Sequence, residues 1–358
     1  MLTRLWRSIR AGLLCLMLVW LAGCSNSSSN TVDPVIIPSQ PIPIGNDAIG
    51  VPLTVRSFNL GSSQLKLLSM FVSVASGDET DLLLDTGSSG MRVLSSEAGT
   101  TNLVRTGRAE TVRFGDGTEL RGELATAPVS FSTIGTEQPV LIHLVDSVTC
   151  SPSTPDCPGS SLFGANAPFK GIVGASLNFR TNVDDLFSPF TRLEGNLDSG
   201  YIIETGGFNA QQGRLIFGIT NQTSAGFTRV PLSQRGTFSD GTPFWDDDEI
   251  QAEYTVSGTD INGVFDNTLL DCGSSDLFLA SRSLNSTFSE APLVPNRTVR
   301  SFVANVFDLF FTTGNTPGLD RVFVDPVFSE EQILGMPFFF RFDTLFDVDG
   351  GQLGVRAR

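Results

Sequence analysis

Two segments of this chain repeat one pattern, in which an apolar run ends in an aspartate and a glycine-containing turn. The first is LLLDTGSSGMRVL, residues 82–94, and the second is TLLDCGSSDLFLAS, residues 268–281. Asp271, Gly273, Ser274 and Ser275 stand where Asp85, Gly87, Ser88 and Ser89 stand in the first copy. Aspartate with a following glycine is by itself an ordinary turn signal, because the Asp side chain bonds its own backbone and glycine accepts positive φ. Repetition changes what the pattern can mean. Each copy lies between two strand-like runs, and each is followed downstream by two aliphatics and a glycine, in GIVGAS at 171–176 and QILGMP at 332–337. Two landmarks that recur in the same order predict two related halves, each presenting one aspartate at a tight turn between strands.

The rest of the chain agrees with an all-β reading. Short apolar stretches alternate with Gly, Pro, Asn and Ser clusters, and helical periodicity is scarce beyond the N-terminal segment. With 40% hydrophobic and 17% charged residues, the composition is that of a folded protein. Residues 51–358 are long for one sandwich and suit two lobes, expected at 51–212 and 213–358. The formal charge of −15 argues against nucleic acid or any polyanionic surface as a partner.

The N-terminus carries an export signal. Arg4, Arg7 and Arg10 precede an apolar run over 11–22 that is short for a bilayer span and ends in Leu21-Ala22-Gly23-Cys24. This resembles the lipobox of a bacterial lipoprotein. The resemblance implies a signal peptide over 1–23 and lipid on Cys24, with Ser25 favouring the outer membrane. A polar tether, SNSSSN onward, is expected over 24–50. The chain would thus meet a membrane through its lipid. Cysteine usage fits export, since Cys150 and Cys157 flank a Pro/Ser loop that can close as a local disulfide in an oxidising compartment. Cys272 is left unpaired.

The doubled motif resembles the pepsin-like aspartic proteases, bilobal β proteins with two barrel-like lobes, a cleft between them and one catalytic Asp from each lobe. The likeness extends over nearly everything after Val51, including GRLIFGITNQTSAGFTRVPLS as the crossing between lobes. It also covers ILGMPFFFRFDTLFDVDGGQLGVR as the terminal helix and strands, with a hairpin turn at 347–351. The first motif is similar, too, to a segment of a proteobacterial envelope lipoprotein family. The resemblance implies that Asp85 and Asp271 share one proton, because like charges at hydrogen-bond range cannot both ionise easily. One carboxylate would then activate water while the other donates toward a peptide carbonyl. Thr86 and Cys272 would grip the opposite loops, Gly87 and Gly273 would let backbone amides approach, and Ser88 and Ser274 would bond the outer carboxylate oxygens. VRFGDGTELRG, residues 112–122, reads as a hairpin with its turn at Phe114, Gly115, Asp116 and Gly117, where the family has a flap over substrate. A monomer acting on peptide or protein, without metal or organic cofactor, is the implied enzyme.

Three positions depart from that pattern. Phe114 stands where the flap usually has tyrosine, Arg92 where its partner tryptophan is usual, and Cys272 where the second loop usually has threonine, whose hydroxyl is a better donor and acceptor than a thiol. Residues 25–50 contain no Lys or Arg, so no cation can latch an acidic dyad from there. The departures keep a rival reading open, a cell-envelope protein that binds a peptide or polymer without hydrolysis. His143, the only histidine, lies in a strand-like run and reads as a packing residue, with no nucleophile elbow nearby. Zinc lacks the His and Cys clusters it needs. WDDDE at 245–249 reads as a solvated acidic loop rather than a calcium site.

Overall fold

The computed structural model describes residues 40–60, 63–280, 293–314, 320–325 and 331–358. The signal segment, Cys24 and most of the expected tether lie outside them. Strands take 51% of the described residues and helices 6%, so the described part of the protein is mainly β.

The first half runs through β1 (Ile49–Leu60), β2 (Ser63–Val74), β3 (Thr80–Asp85), β4 (Ser89–Leu94), β5 (Val104–Arg113), β6 (Thr118–Ala127), β7 (Val129–Phe131), β8 (Ile134–Gly135), β9 (Val140–Cys150), β10 (Gly171–Ala175), β11 (Gly200–Glu204) and β12 (Gln212–Phe217). The second half contains β13 (Thr228–Pro231), β14 (Gln234–Thr237), β15 (Pro243–Trp245), β16 (Ile250–Val256), β17 (Asn262–Leu270), β18 (Leu277–Ala280), β19 (Thr298–Val303), β20 (Phe307–Thr312), β21 (Val322–Asp325), β22 (Glu331–Leu334), β23 (Phe342–Asp347) and β24 (Gln352–Ala357). A short helix, Met336–Phe339, precedes β23.

Both aspartate motifs sit in the same supersecondary unit. In the first half β10 lies parallel to β3, with Asp85 opposite Gly174, and antiparallel to β4 on its other side. In the second half β22 lies parallel to β17, with Leu270 opposite Leu334, and antiparallel to β18. The strand formed by each aliphatic-glycine landmark therefore threads between the two strands that flank an aspartate turn. This explains why β10 is apolar throughout and fully buried: a strand enclosed by neighbours and covered on both faces has no solvent side. By contrast β16, IQAEYTV, alternates strictly between buried and exposed positions, as a one-sided strand must.

The two halves meet in a run of six strands, β13-β24-β23-β11-β12-β1, with β11 and β23 antiparallel at its centre. Tyr201 of β11 stacks on Phe346 of β23 with ring centroids 4.7 Å apart, and its hydroxyl donates to the Ala175 carbonyl at the end of β10. The central pair is thus joined to the strand behind Asp85. The turn at 347–351 lies between β23 and β24, where Gly351 takes φ +57 and Gly350 N donates to Asp347 Oδ1 at 2.7 Å.

The expected domain limits shift. Ile42 and Ala48 are buried against Ile202, Ile216 and Leu345, and Ile42 N donates to Glu204 Oε1 at 3.1 Å. Residues 40–50 therefore belong to the folded body rather than to a tether, because the apolar side chains among the prolines find a hydrophobic groove. The limit expected at 212/213 falls inside β12, which pairs with both β1 and β11. A disulfide joins Cys150 to Cys157.

Candidate active site

Each aspartate ends its strand run at a turn, and the two turns face each other. Gly87 N donates to Asp85 Oδ1 at 2.9 Å, and Gly273 N donates to Asp271 Oδ1 at 2.8 Å. The glycines also make room for the opposite carboxylate. A Cβ on Gly87 would lie 2.6 Å from Asp271 Cγ, and one on Gly273 would lie 2.4 Å from Asp85 Oδ1. Neither glycine has positive φ, so close approach, and not backbone freedom, demands glycine here.

Thr86 and Cys272 cross between the turns. Thr86 Oγ1 donates to the Leu270 carbonyl at 2.8 Å and accepts from Cys272 N at 2.9 Å, while Cys272 Sγ donates to the Leu84 carbonyl at 3.2 Å. The thiol keeps the reciprocal arrangement despite being a weak donor. Burial pushes its pKa well up, so it remains a thiol and has no nucleophilic character.

Burial in the first place, and then the charge of Asp85, raise the Asp271 carboxyl well above the usual carboxylate range. Asp271 as a residue is half-buried, although its carboxyl group is enclosed by protein. Hydrogen bonding to Asp85 adds to the shift, so Asp271 keeps its proton into a pH range in which an isolated carboxyl would be ionised.

The surroundings of the two aspartates are unequal. Ser88 Oγ donates to Asp85 Oδ2 at 2.5 Å. Ser274, expected to do the same for Asp271, instead donates to the Asp276 carbonyl at 3.3 Å. The two turns differ in sequence here: Gly90 takes φ +80, whereas Asp276 in the matching place does not take positive φ, is buried and is ion-paired with Arg321. The second turn follows another course, with Ser275 donating to Asp276 Oδ2 at 2.6 Å.

The hairpin expected at 112–122 is longer, formed by β5 and β6 with Phe114, Gly115, Asp116 and Gly117 at its turn. Gly117 has φ +86, and Asp116 Oδ1 accepts from Thr118 N at 2.8 Å. The disulfide-closed loop braces this turn, since Ser151 N donates to the Gly117 carbonyl at 2.8 Å. Phe114 faces Arg92, whose guanidinium carbon lies 5.6 Å from the ring centroid. The two departures from the family pattern therefore form a cation–π contact with each other. Arg92 is fully buried, and its Nη1 donates to the carbonyls of Ser89 and Gly90 just after the first aspartate turn. Burial lowers its pKa to about 10, with Asp85 and Glu110 opposing the shift, so it stays charged at neutral pH.

His143 lies beside Arg92 in the parallel pairing of β4 and β9. It is buried, and neither ring nitrogen has a hydrogen-bond partner among the described residues. Burial and then the Arg92 charge lower its pKa from 6.5 to about 4. The unfolded chain takes up this proton near 6.5 and the folded chain only near 4, so stability is complete above the first value and falls as the pH drops through that window. Denaturant unfolding at pH 7 and pH 4 should show a loss of about 3 kcal/mol that His143→Leu removes. An unchanged acid loss in the variant would refute this origin.

The acidic run at 245–249 is not the solvated loop expected from its composition. Asp246 and Asp247 are buried, and Arg180 and Arg235 neutralise them. Sequence reading missed Arg180 and Asp247, which lie far apart along the chain. Among the described residues no three His, Cys, Asp or Glu side chains gather as a metal ligand set. No family model matches this sequence, and no curated protein matches it.

Proposed function

We propose that this protein is a pepsin-like aspartic endopeptidase that hydrolyses peptide bonds between Asp85 and Asp271. The observation that carries the reading is the reciprocal packing of the two turns, each glycine lying under the carboxylate of the other half. The six-strand run shared between the halves and the repeated threading of β10 and β22 support a bilobal arrangement of the pepsin type.

In this mechanism the ionised member of the pair takes a proton from water, and the protonated member donates to the peptide carbonyl oxygen. A tetrahedral intermediate forms and collapses without a covalent bond to the enzyme. Gly87 N and Gly273 N hold the inner carboxylate oxygens, so the pair needs little rearrangement when charge moves. The hairpin bearing Phe114 would lie over an extended substrate and exclude bulk water, with apolar side chains favoured at the scissile bond. Lipidation at Cys24 and export rest on the sequence, and would hold the enzyme at the periplasmic face of the envelope, most simply on the outer membrane.

One observation favours the non-hydrolytic binding reading: Ser274 leaves Asp271 without the hydroxyl that Ser88 supplies to Asp85. A mixed peptide library incubated with the soluble protein between pH 3 and 8 in 18O-labelled water separates the two. Direct water attack predicts cleavage with one 18O in each new carboxyl group. Folded protein that cleaves nothing at any pH would overturn the peptidase reading and leave the binding one.

A further inference from the structure

We propose that Arg180 and Asp247 are positioning residues that hold the Asp85 turn in register with the second half, an assignment that rests on the aspartate pair being the reactive centre. Asp247 lies between β15 and β16 and is almost wholly buried. Its Oδ2 accepts from Ser176 Oγ at 2.7 Å, from Leu177 N at 2.8 Å and from Asn178 N at 3.3 Å. Its Oδ1 takes Arg180 Nη2 at 2.7 Å. One carboxylate of the second half thus organises the whole turn that leaves β10 in the first half.

That turn in its sequel holds the Asp85 loop. Ser176 N donates to the Ser88 carbonyl at 2.9 Å, and Arg180 N donates to Ser89 Oγ at 2.8 Å. Ser88 is the residue whose hydroxyl bonds Asp85 Oδ2. The contacts therefore run without a gap from Asp247 through Ser176 and Arg180 to Ser88, Ser89 and the carboxylate.

Arg180 also reaches the strand that lies beside the other aspartate turn. Its guanidinium meets Asp248 at 3.1 Å and Glu331 at 3.5 Å. Glu331 opens β22, the strand whose Leu334 carbonyl accepts from Asp271 N at 3.1 Å. Backbone and side chain of one residue are thereby fixed to structures that carry different aspartates. A buried ion pair formed only for stability has no reason to be attached at both ends to the turns of a reactive pair, since such pairs add little net stability. Fixing relative geometry is what this placement achieves, and small displacements of reacting groups are costly in rate.

The test compares Arg180→Met, Arg180→Lys, Asp247→Ala and their double variant with wild type, by peptide cleavage and by amide exchange. Positioning predicts kcat lower by roughly tenfold or more in Arg180→Met, KM changed by less than about threefold, and partial rescue in Arg180→Lys. The loss in the double variant should fall short of the product of the single losses, because the two residues share one contact. Amide exchange over 86–94 should accelerate while exchange in β24 stays as in wild type. If Arg180→Met does not fold, Asp247→Asn, which keeps acceptors for the turn but loses the charge, is measured in its place. Unchanged kcat, or unchanged exchange over 86–94 in a folded variant, would overturn the proposal. If wild type cleaves nothing, the peptidase reading fails on its own, and the exchange comparison still decides whether these residues position the turn.

Discussion

Asp85→Asn and Asp271→Asn are each expected to lower peptide cleavage by about 10³- to 10⁴-fold, because an amide can neither share the proton of the pair nor pass it to substrate. Loss of activity alone would not separate chemistry from damage to the fold, and Asp271 offers a second readout. Its carboxyl is held above the usual carboxylate range, by burial first and by the Asp85 charge second. The unfolded chain releases this proton at ordinary carboxylate pH, whereas the folded chain keeps it. Stability from this group is therefore complete in acid, and is lost as the pH rises from the unfolded value through the folded one. Asp271→Asn removes that loss, so the inactive variant should unfold at higher denaturant concentration than wild type at pH 7, with the difference vanishing near pH 3. Denaturant melts at both pH values, taken beside cleavage rates, make the check. A variant that is inactive and less stable at pH 7 would refute the account of a proton trapped by burial.

The aspartate pair was legible because two copies of a short pattern, each enclosed by apolar strand runs, leave few ways to arrange the chain around them. The Cys150–Cys157 spacing was legible for a local reason, the length of one loop. Asp247 was not. An acidic run reads as solvated when only composition is considered, and the cation that makes its burial tolerable, Arg180, comes from the other half. Ser274 misled for a subtler reason. The two motifs share both serines but differ at Gly90 and Asp276, where only the glycine takes positive φ, and in the second turn the Ser274 hydroxyl goes to the Asp276 carbonyl. Arg92 and Phe114 were each visible as departures from a family pattern. Only the folded chain shows that they touch. Residues 40–48 lacked a periodic signal, and their burial depends on a groove made by β11, β12 and β23.

Alanine at Gly87 or Gly273 should slow cleavage by about 100-fold while leaving the fold nearly as stable as before. Both glycines have ordinary φ, so the backbone accepts alanine, and the whole penalty falls on what the new methyl group meets. At Gly87 all three nearest atoms belong to the Asp271 carboxylate, at 2.6 to 2.8 Å, and at Gly273 the nearest are Oδ1 and Cγ of Asp85 at 2.4 and 2.6 Å. These are side-chain atoms held by hydrogen bonds from Gly87 N, Ser88 Oγ and Gly273 N, so the methyl should displace a carboxylate at the expense of those bonds rather than break a strand. Gly263→Ala serves as the control, since a Cβ there meets nothing within 4 Å and the residue lies in β17 away from the turn. The measurement is kcat and KM for one cleaved peptide across pH 3 to 8, with melting temperature for each variant. Displacement of one carboxylate predicts a fall in kcat together with a narrower pH profile, because two carboxyl groups pushed apart no longer raise one pKa through the other's charge. Full activity in either alanine variant would mean that the opposed packing of the turns is not the reactive arrangement, and the case for the peptidase would lose the observation on which it rests.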